Sequence, residues 1–175
     1  MKRVFLLTGP PGSGKTTLIM RVIEGVKERA GGFITREIRE KGIRKGFKII
    51  TLEGDEGILA HVDIRSDRKV GKYGVDLKAM EEKANPSLIK ALEEKDIIVI
   101  DEIGKMELMS KAFIDVLNKV LNSEKPVIGT IMKKPHPVAD RIKSLPFVQV
   151  IEVDDKAEET LRKWLSEYLS SRSGK

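Results

Sequence analysis

The chain contains no cysteine. That excludes disulfides, thiolate-held metals and a cysteine nucleophile together. Histidine is almost as scarce: His61 closes an expected strand and His136 lies between two prolines. They do not form a ligand pair, and both are expected at the surface. No apolar run approaches the roughly 20 residues of a membrane helix. Residues 4–8 read as a strand rather than part of a signal peptide, so no membrane partner and a cytoplasmic location are expected. There is no repeat, linker or low-complexity stretch, so 1–175 is read as a single domain with room for a proper core. No block of one charge sign is present either. The 33 Lys and Arg are interleaved with 27 Asp and Glu, for a net charge of +6. Charge alone therefore gives little support to a nucleic-acid partner, and a nucleotide pocket needs positive potential in any case. The Lys, Arg and Glu content would suit a thermophile. A monomer is expected.

What is present is the stretch Gly9-Pro10-Pro11-Gly12-Ser13-Gly14-Lys15-Thr16, which fits G-x-x-x-x-G-K-[ST] at every fixed position. Before it, residues 4–8 form an apolar run. After it, Leu18, Ile19, Val22, Ile23 and Val26 recur at helical spacing. A phosphate-binding loop belongs between a strand and a helix. Its glycines let successive N–H groups turn inward onto phosphate oxygens, and the helix N-terminus adds positive potential. Lys15 would reach the β- and γ-phosphates, and the Thr16 hydroxyl would bind Mg²⁺. The nucleotide-binding set is read as Gly9 to Thr16 together with Thr17.

The rest of the chain mostly alternates strand and helix. A helix over 17–29 is expected to stop at Gly31-Gly32. Strands are expected over 33–39, 47–52 and 58–62, joined by turns too short for anything but antiparallel pairing. Residues 63–76 read as an irregular loop, followed by helices over 77–83 and 86–94, the second capped by Asn85 with Pro86 at its first position. The continuous apolar run at 97–100 suits a central parallel strand covered on both faces. A helix over 113–121, a strand over 126–131, a helix over 138–145, a strand over 147–153 and a closing helix over 157–169 complete the pattern, with 170–175 frayed. Trp164 falls on the apolar face of the closing helix and is read as core.

Asp101-Glu102-Ile103-Gly104 follows the apolar strand. An acid there is the Walker B feature, so Asp101 would hold Mg²⁺ opposite Thr16 if its strand neighbours the loop strand. Glu102 is assigned to aim the attacking water. Ile103 and Gly104 join the nucleotide-binding set, since D-x-x-G also spells a GTPase switch whose Gly N–H meets the γ-phosphate. The guanine-selecting N-K-x-D is absent, because Asn118-Lys119 is followed by Val120-Leu121, and Lys105 stands where a water-orienting Gln would follow. Glu107 is either a second catalytic carboxylate or a first-turn helix acid. Lys105, Lys133, Lys134 and Arg141 are candidate transition-state cations. Arg65, Arg68, Lys69 and Lys72 are candidates to cover a bound nucleotide, and Tyr73 to stack on its base.

Five segments occur together in one family, in the same order and at similar spacing. They are Gly9 to Thr16; Gly32-Phe33-Ile34-Thr35-Arg36-Glu37; Gly46-Phe47-Lys48-Ile49-Ile50-Thr51-Leu52; Val70-Gly71-Lys72-Tyr73-Gly74-Val75; and Asp101-Glu102-Ile103-Gly104-Lys105-Met106-Glu107-Leu108. The chain resembles the thermophile nucleoside-triphosphate phosphatases, also called cancer-related nucleoside-triphosphatases, over nearly its whole length. It departs from their common pattern in two connecting helices and in the 133–138 loop. The resemblance implies an α/β, three-layer, RecA-like P-loop fold with a mostly parallel central sheet and an antiparallel insert near 33–62. It also implies slow, Mg²⁺-dependent hydrolysis of ATP, GTP, CTP and UTP with little base preference. Lys15, Glu102 and Glu107 are then the catalytic set, and Thr16 and Asp101 the metal ligands. Two other readings stay open: a nucleotide or small-molecule kinase with 65–72 as its lid, and a regulatory switch associated with nucleic acid.

Overall fold

The computed structural model describes residues 2–173. One nine-stranded sheet runs in the order β5-β6-β4-β3-β2-β7-β8-β1-β9. Its strands are β1 Val4–Thr8, β2 Ala30–Glu40, β3 Ile43–Thr51, β4 Glu56–His61, β5 Lys69–Val70, β6 Tyr73–Val75, β7 Ile97–Ile103, β8 Val127–Ile131 and β9 Val148–Glu152. The helices are α1 Lys15–Ile23, α2 Asn85–Glu94, α3 Lys111–Leu121, α4 Pro137–Lys143 and α5 Ala157–Ser173. From β2 to β9 every neighbouring pair is parallel; from β2 outward to β5 every pair is antiparallel. This is the expected RecA-like three-layer α/β architecture with an antiparallel insert. No helix of the described residues is long and apolar enough to cross a membrane.

The central strands alternate between two apolar layers, which explains why their sequences do not alternate. On one face Val4, Leu6, Ile98 and Ile100 pack with Leu88 of α2, Phe113 and Leu117 of α3, and Ile142 of α4. On the other, Phe5, Leu7, Ile97 and Val99 pack with Ile19 of α1 and Leu161, Trp164 and Leu165 of α5. The Trp164 ring lies 4.2 Å from that of Phe5, centroid to centroid. It is core, as expected.

Several local expectations are corrected. Gly31 and Gly32 do not end a helix. α1 stops at Ile23, a 3-10 segment covers Glu24–Arg29, and both glycines lie inside β2. They are there because β2 runs close to its neighbours. A Cβ on Gly32 (φ +122°) would meet the Val99 carbonyl oxygen at 2.0 Å, and one on Gly31 would meet the Ala91 Cβ at 2.8 Å. The loop expected over 63–76 carries a small hairpin of β5 and β6 that extends the sheet, turning at Gly71. Asn85 is not an N-cap: a π-turn over Met80–Ala84 runs straight into α2, with the Asn85 N–H bonded to Met80 O. Pro86 offers no N–H to the residue 82 carbonyl, so a widened turn costs little there. α5 continues helical through Ser173, beyond the fraying point expected at 170; residues 174 and 175 lie outside the described residues.

These contacts yield a stability prediction. Gly32→Ala combines positive φ with a main-chain clash and should lose about 3 kcal/mol or more in urea denaturation. Gly54→Ala, at a turn with open space around it, should lose about 1 kcal/mol.

Candidate active site

Residues 9–14 leave β1 and curl back into the first turn of α1. Gly12 (φ +77°) and Gly14 (φ +84°) adopt backbone that L side chains rarely take. Gly14 caps the helix through its backbone, its carbonyl accepting from Leu18 N at 2.9 Å. The helix therefore begins at Lys15, two residues earlier than expected, and Thr16 and Thr17 stand on its first turn. The Lys15 ammonium lies back over the loop and donates to Gly9 O at 2.5 Å. Ser13 Oγ is buried beside the loop with no hydrogen-bond partner among the described residues.

Asp101 is the joint of the site. It lies on β7, which is not a neighbour of β1; β8 intervenes. The crossing is bridged by hydroxyls. Thr16 Oγ1 donates to Asp101 Oδ2 at 2.6 Å, and Thr130 Oγ1 of β8 donates to Oδ1 at 2.7 Å. Thr35 Oγ1 of β2 donates to the Asp101 main-chain oxygen at 2.7 Å. Gly129 keeps the bridging strand thin, since a Cβ there would meet Ile100 O at 2.1 Å. The Asp101–Glu102 peptide is cis. Burial pushes the Asp101 carboxyl up from its ordinary value, against the pull of the Thr16 and Thr130 hydroxyls and the Lys15 charge.

Glu102 and Glu107 close over Gly104. A Cβ at that glycine would meet Oε1 of each at 3.0 Å, a tight contact that a larger residue would relieve only by moving the acids. Ile103 beside it is fully buried and pairs with Ile131. Glu107 is not a first-turn acid of α3; it opens a separate 3-10 turn, Glu107–Met109, and is 4% exposed. Its carboxyl is pushed well up, first by burial and then by Glu102, while main-chain N–H groups of Glu107 and Glu102 hold it. Glu102 is raised by burial and by Asp101, and lowered by Lys15.

A metal fits this donor set. Thr16 and Asp101 present hard oxygens to one point, and a divalent cation would offset the buried carboxylate charge. The described residues offer no group of three His, Cys, Asp or Glu side chains around a common point. The protein thus supplies one carboxylate and one hydroxyl, the pattern of Mg²⁺ completed by phosphates and water rather than by a protein cage.

A cavity of about 600 Å³ opens over the loop, walled by residues 11–17 on one side and by Thr35, Arg36, Glu37, Arg39 and Arg44 on the other. Those last five were not picked out as site residues from the sequence. Glu37 lies between two guanidiniums, accepting from Arg39 Nε at 2.8 Å and Arg44 Nη1 at 3.2 Å. Burial works to raise its carboxyl, and the hydrogen bonds from Arg44 and Arg39 outweigh it and hold it below its ordinary value. The available sequence signal was the run of alternating charges on a strand, which reads equally well as a solvated face. Thr130 was likewise passed over as an ordinary strand threonine.

Other candidates lie elsewhere. Tyr73 is buried on β6 against Phe47, and its hydroxyl accepts from Arg44 Nε at 2.9 Å. It stands behind the cavity wall rather than in the cavity. Arg65, Arg68, Lys69 and Lys72 line a separate depression of about 750 Å³. Lys105, Lys133, Lys134 and Arg141 do not line the loop cavity; Lys133 faces Glu152 and Arg141 bonds Asn118. His61 bonds the Asp63 amide, and His136 Nδ1 caps α4 by accepting from Val138 N at 3.1 Å.

A glycine-turned loop opening a helix, joined through a hydroxyl to an acid on a parallel strand, defines a P-loop nucleoside-triphosphate-binding protein. A family model described as NTPase matches residues 4–165. The nucleoside-triphosphatase THEP1 of Thermotoga sp. (strain RQ2) is 50% identical over 165 residues, covering 94% of this chain and 92% of that protein. The crystal structure of THEP1 from the hyperthermophile Aquifex aeolicus superposes with TM-score 0.84 at 38% identity, covering 93% of this chain and 97% of that one. The solution structure of a human cancer-related nucleoside triphosphatase gives TM-score 0.77 at 35% identity, over 98% and 99%. The chain belongs to the NTPase family that these proteins represent.

The buried acids carry a pH prediction. An acid with a raised folded pKa binds its proton more tightly folded than unfolded. Its contribution to stability is full below the unfolded value of 4.5 and is lost as pH rises through the folded value. In metal-free protein, Glu107→Gln should therefore melt higher than the parent at pH 8 and match it near pH 4, by calorimetry.

Proposed function

We propose that the chain hydrolyses nucleoside 5′-triphosphates to diphosphate and phosphate with Mg²⁺, as one P-loop domain acting as a cytoplasmic monomer. The observation that carries this reading is the 2.6 Å hydrogen bond from Thr16 to Asp101, which ties the phosphate loop to the strand bearing the water-directing acid. Amides of Gly12, Ser13, Gly14 and Lys15 cradle the β-phosphate, with Gly9, Pro10, Pro11 and Thr17 shaping the loop around them. The Lys15 ammonium leaves Gly9 O and spans the β- and γ-phosphates. Thr16 and Asp101 would hold Mg²⁺, which would supply charge neutralisation for the phosphate oxygens. Glu102 accepts a hydrogen bond from a water and takes its proton as the water oxygen bonds to the γ-phosphorus. The bond from that phosphorus to the bridging oxygen breaks, and diphosphate leaves. Glu107, its carboxyl pushed up by burial, supports Glu102 across Gly104.

Low base selectivity for ATP, GTP, CTP and UTP follows from where the grip lies. The cavity is lined by the loop, threonines, three arginines, Lys15 and Glu37, with no aromatic platform among its lining residues. The kinase reading has less support, because Arg65, Arg68, Lys69 and Lys72 line the other depression. A nucleic-acid partner gains no support beyond net charge.

Phosphate release should occur with all four triphosphates, require Mg²⁺ and need no acceptor. Lys15→Ala should abolish it and remove most triphosphate affinity. Glu102→Gln should keep affinity and lower kcat by about 10²–10⁴; near-normal turnover would remove Glu102 from the mechanism.

A further inference from the structure

Three arginines face the phosphate loop, and they differ in how they are held. Arg36 is exposed and has no hydrogen-bond or ion-pair partner among the described residues. Ordering so long a side chain costs up to about 2 kcal/mol. Arg39 uses all three guanidinium nitrogens: Nε and Nη2 on Glu37, and Nη1 on Gly42 O. Arg44 is held and yet incomplete. Nε donates to the Tyr73 hydroxyl at 2.9 Å and Nη1 to Glu37 at 3.2 Å. Its Cζ lies 5.2 Å from the Phe47 ring centroid and 5.7 Å from that of Tyr73. Nη2 has no partner among the described residues.

The topology says which end of a triphosphate this wall meets. The loop follows β1, the acids end β7, and β2 and β3 lie on the far side of β7. The arginine wall is therefore on the side of the terminal phosphate and the attacking water. Its spacing from the acids is fixed, because Thr35 on β2 is bonded to Asp101 O. Alternation along β2 puts Thr35, Glu37 and Arg39 on one face, with Arg44 paired opposite Arg39. Arg44 reaches back along that face to Glu37, toward the acids.

We propose that Arg44 is the built-in transition-state cation of this enzyme, its free Nη2 donating to an equatorial oxygen of the γ-phosphoryl group as the bridging bond breaks. Tyr73 and Glu37 are positioning residues for it. The two arginines and Glu37 together carry one net positive charge, so Glu37 fixes Arg44 without cancelling the wall. A cation ordered before substrate arrives pays its entropy in folding rather than in turnover.

This inference rests on the proposed hydrolysis, and the test separates the two. Three variants of the full chain, Arg44→Ala, Arg44→Lys and Tyr73→Phe, are compared with the parent. The readouts are kcat with Mg·ATP, Kd for a non-hydrolysable ATP analogue, and Kd for Mg·ADP with aluminium fluoride, which mimics the phosphoryl group in flight. Arg44→Ala should lower kcat by about 100-fold or more and weaken the aluminium fluoride complex in proportion, with the analogue Kd within about threefold. Tyr73→Phe keeps the ring packing and should show a smaller loss with the same split. If Arg44→Ala does not fold, Arg44→Lys carries the test, since an ammonium lacks the planar fork; it should lose at least about tenfold in kcat. Unchanged kcat in the folded Arg44 variants overturns the inference, as does an equal weakening of the analogue and the mimic. In either case the parent's turnover and its loss on Glu102→Gln leave the hydrolysis reading standing. A parent that releases no phosphate would refute that reading instead.

Discussion

A single buried aspartate holds three elements in register. Asp101 receives Thr16 from α1 and Thr130 from β8 on its two oxygens, and Thr35 from β2 on its carbonyl. A carboxylate 4% exposed is costly unless its lone pairs are satisfied; bonds to a charged partner recover about 1.5–3 kcal/mol each. The residues that supply those bonds bring the phosphate loop, the bridging strand and the arginine hairpin to one place. The same carboxylate, which feels the Lys15 charge but forms no ion pair among the described residues, would suit a metal. Stability and function thus draw on one group, with opposite demands: burial favours the protonated acid, and catalysis favours the anion.

The acids beyond Asp101 extend this tension. Glu102 and Glu107 share the space over Gly104, and repulsion from Glu102 adds to burial in pushing the Glu107 carboxyl up. Both carboxyls are raised, Glu107 more strongly, and the Lys15 charge pulls only Glu102 back down. Gly104 leaves the pair undisturbed; a Cβ there would crowd both carboxyls.

The loop was legible because its chemistry demands fixed residue types at fixed spacing: Gly9, Gly14 and Lys15 are fixed in that pattern, and Thr16 admits only serine in its place. The central strands were legible because burial on both faces leaves a continuous apolar run, as at 97–100. Gly31 and Gly32 misled because glycine ends helices and also admits close strands, and only the neighbouring Val99 and Ala91 decide between the two. The separation of β1 from β7 by β8 was invisible, because strand order is a long-range property that the spacing of Thr16 and Asp101 along the chain does not encode. Arg39 and Arg44 were missed for a related reason. Each reads as a surface cation in its own segment, and the wall exists only when Glu37 and Tyr73 converge on them from different strands. Tyr73 was singled out for stacking on a base; in the folded chain its ring packs on Phe47 and its hydroxyl accepts from Arg44.

The central claim is that Thr16 and Asp101 together place a metal-bound triphosphate under Glu102. A crystal structure of the protein with Mg²⁺ and a non-hydrolysable triphosphate tests it most directly. The account predicts the ion between the Thr16 hydroxyl and the Asp101 carboxylate, Lys15 moved from Gly9 O onto the phosphates, and Glu102 within hydrogen-bond reach of a water in line with the terminal phosphorus. A phosphate chain seated away from residues 9–17, or Glu102 turned from it with no water between them, would contradict it.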